Sequence, residues 1–179
     1  MSNVSILRLW SMRAAFVGLA LLILLVNLLP LQTLPRGWAG PDLLLCLAMA
    51  WSVRRPEYAP IPLLGAVFLL SDFVLSRPPG LAAALMLLAC HDLRSRMRRL
   101  RDSGFAAEWM RATLLVVAVA VAYRIGLGLV LVPVPPLGLA AFQTVATALC
   151  YPLVVGFSAL FFGVRLSAPG DLDSTGQRI

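Results

Sequence analysis

The chain has 179 residues, 60% of them hydrophobic and only 13% charged, with a mean hydropathy of +0.90. A soluble domain carries about a quarter charged residues, whereas here long stretches, 14–35 and 125–164, carry none. This excludes a soluble globular domain. The formal charge of +7 comes entirely from arginine, which in so apolar a chain reports membrane topology, not nucleic-acid binding.

The first apolar segment, 14–34, follows Arg8 and Arg13. It is longer than the roughly 7–15 apolar residues of a signal peptide, and no A-x-A site follows, so a retained membrane helix is expected. The second, 40–53, reads GPDLLLCLAMAWSV and is short. Asp42 follows Gly40-Pro41, where proline suits a first helical position and a carboxylate meets the positive end of the helix dipole. Asp42 is therefore expected to cap this helix. The third segment, 58–76, tolerates Pro60 and Pro62 in its first turn and carries Gly65 and Asp72.

The fourth segment, 80–93, opens with Gly80 and the small run Ala82-Ala83-Ala84. Beyond it, HDLRSRMRRLRD sets Leu93, Met97 and Leu100 at helical spacing, with arginines on the other faces. Two readings fit: a basic amphipathic helix at the inner leaflet, or a solvated positive loop. In the first, Arg94, Arg96, Arg98, Arg99 and Arg101 would contact anionic lipid or an acidic partner face. The fifth segment, 112–132, contains Arg124 and ends at VPVPP; the sixth, 137–164, is interrupted by Pro152, and 165–179 form a cytoplasmic tail. Gly65, Gly80 and Pro152 are expected to shape helix packing. Trp38 and Trp51, near span ends, read as interface anchors.

Arginine placement fixes the topology. On this drawing one side receives Arg8, Arg13, Arg54, Arg55, Arg94, Arg96, Arg98, Arg99, Arg101, Arg111, Arg165 and Arg178, while the other receives Arg36 and Arg77. The expectation is a single all-α integral membrane domain over 1–179, with six transmembrane helices and both termini inside. Asp72 then lies roughly 21 Å into a core about 30 Å thick, and Arg124 roughly 18 Å. Two such groups at matching depth usually pair, so an Asp72–Arg124 bridge between the third and fifth helices is expected. Separate snorkelling toward the outer interface and a proton- or substrate-handling role are the alternatives.

Catalytic residues, metal ligands and cofactor-binding residues are not expected. Ser71 lies toward the outer face and His91 at the cytoplasmic end of the fourth helix, so they cannot share a dyad; no G-x-S-x-G occurs, and no carboxylate–histidine cluster resembles a metal site. Cys46, Cys90 and Cys150 sit apart in apolar surroundings and read as small hydrophobes.

PDLLL at 41–45, LLGAVFLLSDFVLSRPPG at 63–80 and TALCYPLVV at 147–155 occur in this order in a chain with six apolar segments. Together they resemble the MreD family of rod-shape-determining proteins. The resemblance implies a non-catalytic subunit of the bacterial elongasome in the inner membrane, without a cofactor, supporting lateral peptidoglycan synthesis and cell shape. The implied partners are a bitopic MreC-like protein, RodA and a class B penicillin-binding protein, with MreB filaments reached indirectly. It also implies a fold similar to the membrane-embedded substrate-binding subunits of energy-coupling-factor transporters. A small-molecule- or lipid-binding subunit of a transporter, using outward space near Asp42, Asp72 and Arg124, is the second reading.

Overall fold

The computed structural model describes the backbone of residues 3–29, 40–99 and 104–164, and the side chains of 6–29, 40–96 and 104–164. Within them the chain forms six helices and no strand: α1 (Asn3–Leu28), α2 (Leu43–Arg54), α3 (Ile61–Val74), α4 (Leu81–Arg99), α5 (Phe105–Leu129) and α6 (Leu137–Phe162). The expected positions of Arg36, Trp38, Arg101, Arg165, Arg178 and the tail lie outside the described residues, as do the side chains of Arg98 and Arg99.

Three helices have the length and apolarity to cross a membrane: 6–28 of α1, and the whole of α5 and α6. That is the character of a membrane protein. Most of each faces outward, with Leu153 and Leu160 of α6 still 71% and 81% exposed. In water so much exposed hydrocarbon marks an unmet interface, whereas in a bilayer it is the ordinary surface of a helix bundle.

α2 occupies the middle. Every residue from Leu44 to Ser52 is buried, and so is Arg54. LLLCLAMAWS is apolar on all its faces, and a helix apolar all round belongs inside a bundle. It packs against α1, α4 and α6, while α3–α4, α4–α5 and α5–α6 are neighbours and α1 also leans on α3. Twelve residues of helix give about 18 Å, so α2 is short because its neighbours, not lipid, surround it. Trp51 is not an interface anchor. It lies at the bundle centre, 0% exposed, against the rings of Phe16, Tyr58 and Phe162 at 5.5, 6.3 and 5.6 Å.

Helix ends differ from the apolar segments for one reason: arginine ends a hydrophobic run but does not end a helix. α1 begins at Asn3 and carries Arg8 and Arg13 within it, and α5 starts after Gly104 and includes Arg111. α4 continues unbroken through the basic stretch to Arg99, with Leu93 buried and Arg96 Nε bonded to Asp92 Oδ1 at 2.8 Å. Nor does Pro152 interrupt α6, which runs continuously from Leu137 to Phe162.

Candidate functional site

α4 begins without a cap of its own. The Gly80 carbonyl accepts the first intrahelical bond, from Ala84 N at 2.9 Å, so Gly80 is the N-cap yet has no side chain to offer the free amides. Asp72 of α3 supplies one. Its Oδ2 accepts Gly80 N–H at 2.9 Å and Ala83 N–H at 3.1 Å, while the Asp72 carbonyl takes Arg77 N–H at 2.9 Å. The turn between them needs Ser76 at φ 51° and Gly80 at φ 88°. Gly80 thus serves by its backbone conformation; a Cβ there would meet nothing within 4 Å, so it is not a packing glycine. Gly65 is not required by packing either: a Cβ there would stand 3.8 Å from Leu87 Cδ2, ordinary van der Waals contact, whereas at Gly126 of α5 it would come within 2.8 Å of Leu81 Cδ1.

The expected Asp72–Arg124 bridge is not formed. Asp72 is wholly buried and turned to the start of α4, with Oδ1 left without a partner. Arg124 donates through Nη1 to the Pro135 carbonyl at 2.7 Å. Prolines at 133, 135 and 136 leave that connection with few amides, so its carbonyls need an outside donor. Similar depth along two helices did not imply a shared face.

Among the described residues, the buried ion pair lies elsewhere. Arg54, in the last turn of α2, grips Glu108 of α5 through Nη1–Oε1 at 2.5 Å and Nη2–Oε2 at 3.2 Å. Tyr151 of α6 donates its hydroxyl to the same Oε1 at 2.5 Å. All three side chains are buried. Arg54 is therefore not a loop charge reporting topology. Helical side chains lean toward the N-terminus of their helix, which aims Arg54 back into the bundle, while its neighbour Arg55 stays outside and pairs with Glu57 at 3.5 Å. Glu108 now accepts three hydrogen bonds from two residues, and the cluster ties α2, α5 and α6 together.

Three further junctions join α6 to its neighbours. Asp42 stands at the N-cap of α2, its Oδ1 accepting Leu45 N–H at 3.0 Å, and its own N–H donates to Thr147 Oγ1 at 2.9 Å. Pro152 lacks an amide, so it cannot bond the carbonyl four residues earlier. That carbonyl is Ala148's, and Trp109 Nε1 of α5 donates to it at 2.8 Å. Trp51 Nε1 donates to Ser158 Oγ at 3.0 Å.

Ser71 is buried without a partner, and His91 lies on the exposed side of α4 two turns past Ala83. No group of three or more metal-capable side chains occurs among the described residues. Cys46 and Cys90 are buried free thiols, and Cys150 is half-buried. The chemistry on view is fastening: most of the polar groups named above close a helix end or join two helices, and the Ser71 hydroxyl does neither.

Glu108, Tyr151, Thr147 and Trp109 were not candidates in the sequence reading. A signal for Glu108 existed, since Glu108, Ala112 and Val116 recur at i, i+4 and i+8 and all face the core. No protein-family model, curated protein or solved structure matches the chain.

Proposed function

We propose that the chain is a non-catalytic scaffold of the bacterial elongasome in the inner membrane, of the MreD kind. It crosses the bilayer six times with both ends inside and binds the transmembrane helix of an MreC-like bitopic protein. RodA and a class B penicillin-binding protein stand in the same complex, and MreB filaments are reached through the partner. The observation that carries this reading is where the resembling stretches meet. Asp42 of PDLLL bonds Thr147 of TALCYPLVV, and Asp72 of the stretch ending SRPPG closes the start of α4. Residues of the resembling stretches are thus among those that fasten the bundle.

The outer faces of α1, α5 and α6 support the same reading, since they offer apolar helix surface to other membrane helices. The shortness of α2 and α3 fits six crossings because α2 is shielded by protein. A transporter's capture subunit would need roughly 300–1,000 Å³ of enclosed space. The polar space beside Asp42 and Ser71 measures only about 40 Å³, and the groove of about 520 Å³ beside it is apolar, which favours the scaffold over a capture site for a soluble small molecule. On the inner side, Arg94, Arg96, Arg98, Arg99 and Arg101 contact anionic lipid.

The test is co-purification of an affinity-tagged MreC-like protein with this chain from its own membranes, followed by crosslinking from the exposed faces of α1, α5 and α6. Specific crosslinks from one face are expected. Failure of the two to co-purify, together with depletion that leaves cell shape intact, contradicts the proposal.

A further inference from the structure

Where α1 and α3 end and α2 begins, Asn27, Asp42, Ser71, Arg77 and Gln143 line a polar pocket of about 40 Å³. An apolar groove of about 520 Å³ runs beside it between α1 and α3, walled by Leu21, Leu24, Leu25, Leu28, Leu70 and Val74. The two adjoin. Leu24 belongs to both, Asn27 and Leu28 are consecutive on α1, and Ser71, Val74 and Leu75 share one face of α3.

The pocket is short of partners. Ser71 is 1% exposed and its Oγ has no hydrogen bond, a state that costs free energy until a ligand or water fills it. Arg77 enters no ion pair among the described residues. Asp42 commits one carboxyl oxygen to the Leu45 amide.

We propose that groove and pocket together hold one phospholipid with a primary ammonium head group, of the phosphatidylethanolamine type. Its acyl chain lies along α1 and α3, its phosphate meets Arg77, and its ammonium enters the pocket toward Asp42 and Ser71. The charges select it. A purely anionic head group would meet Asp42, and a cation without phosphate would meet Arg77; a zwitterion satisfies both. Size and donors narrow it further, because a primary ammonium brings three N–H donors in little volume. A quaternary ammonium brings none. A partner helix laid in the groove would cover the leucines and leave Ser71 and Arg77 unanswered. The inference rests on the membrane character of the chain and not on its scaffold role; under the proposed topology the lipid belongs to the outer leaflet.

The test takes the full-length protein, delipidated in detergent, and titrates it with phosphatidylethanolamine, phosphatidylcholine and phosphatidylglycerol, read by native mass spectrometry. The ethanolamine lipid is expected to bind about tenfold more tightly than either other, the worth of one charge-assisted hydrogen bond. Asp42→Asn keeps an acceptor for the Leu45 amide and is expected to erase that preference; Arg77→Gln weakens all three lipids. Leu25→Trp, at a position 57% exposed, fills the groove without touching the core and lowers all retention. Equal binding of the three lipids by the wild type, or a preference unchanged in Asp42→Asn, overturns the proposal. Selective lipid binding by a protein that captures no bitopic partner would sustain it while the scaffold reading falls.

Discussion

Arg54 turns its guanidinium away from the end of α2 and into the bundle, where it meets Glu108 of α5 with both side chains nearly wholly buried, 5% and 2% exposed. A hydrogen bond between neutral groups on membrane helices contributes only about 0.6 kcal/mol on average. Removing one partner of a buried ion pair costs about 3–5 kcal/mol, because the other charge is left alone. Among the junctions of this bundle, the Arg54–Glu108 pair therefore governs stability. Arg54→Ala and Glu108→Ala are each expected to cost about 3–5 kcal/mol in reversible unfolding in micelles. The double variant Arg54→Met with Glu108→Leu should recover much of that loss. A double variant as unstable as the sum of the two single ones would mean that the pair does not act as a unit.

The cap on α4 makes a different prediction. Asp72→Ala removes the acceptor for two amides and is expected to cost about 1–2 kcal/mol. Asp72→Asn keeps an acceptor oxygen and should cost less. Hydrogen exchange reads the effect locally, with the Gly80 and Ala83 amides exchanging faster in Asp72→Ala. Unchanged protection at both would show that the side chain does not hold them.

The link between Pro152 and Trp109 is testable as a cycle. Trp109→Phe leaves the Ala148 carbonyl without its donor, and Pro152→Ala gives α6 an amide able to take it back. Losing Trp109 is expected to cost less in the Pro152→Ala background, with a coupling of about 0.5–2 kcal/mol. Simple additivity of the two changes would separate the proline from the tryptophan.

The glycines sort by surroundings. A Cβ at Gly126 would lie 2.8 Å from Leu81 Cδ1, whereas at Gly65 the nearest atom is 3.8 Å away. Alanine in place of glycine inside a helix gains up to about 1 kcal/mol. Gly65→Ala is expected to raise the melting temperature. Gly126→Ala must displace Leu81 and should gain less or lose. Gly80→Ala is strained at its positive φ by about 1–2 kcal/mol. Equal melting temperatures for the Gly65 and Gly126 variants would contradict the close approach of α4 and α5.

The sequence made the apolar segments, their order and the α4 extension readable because hydropathy and helical spacing are local signals. The capping role of Asp42 was also local, set by Gly40-Pro41 beside it. What failed was rotation. Asp72 and Arg124 were expected at similar depths, but which way each points depends on how α3, α4 and α5 pack, and no local pattern fixes that. Arg54 was counted with Arg55 as a loop charge, since only the tertiary arrangement tells which of two adjacent arginines turns inward. Glu108, next to an arginine-rich stretch, drew no reading of its own, although its spacing from Ala112 and Val116 held the clue.

Six crossings of the bilayer, including those by the short helices α2 and α3, are the claim on which the functional account depends most. The direct measurement is labelling of single cysteines with a membrane-impermeant thiol reagent, in a background where Cys46, Cys90 and Cys150 are replaced by Ala. The positions are Glu57 between α2 and α3, Pro79 between α3 and α4, and Val134 between α5 and α6. The account predicts that 79 and 134 react in intact cells and that 57 reacts only after the membrane is opened. Labelling of 57 and 79 from the same side would show that α3 does not cross, contradicting both the topology and the scaffold built on it.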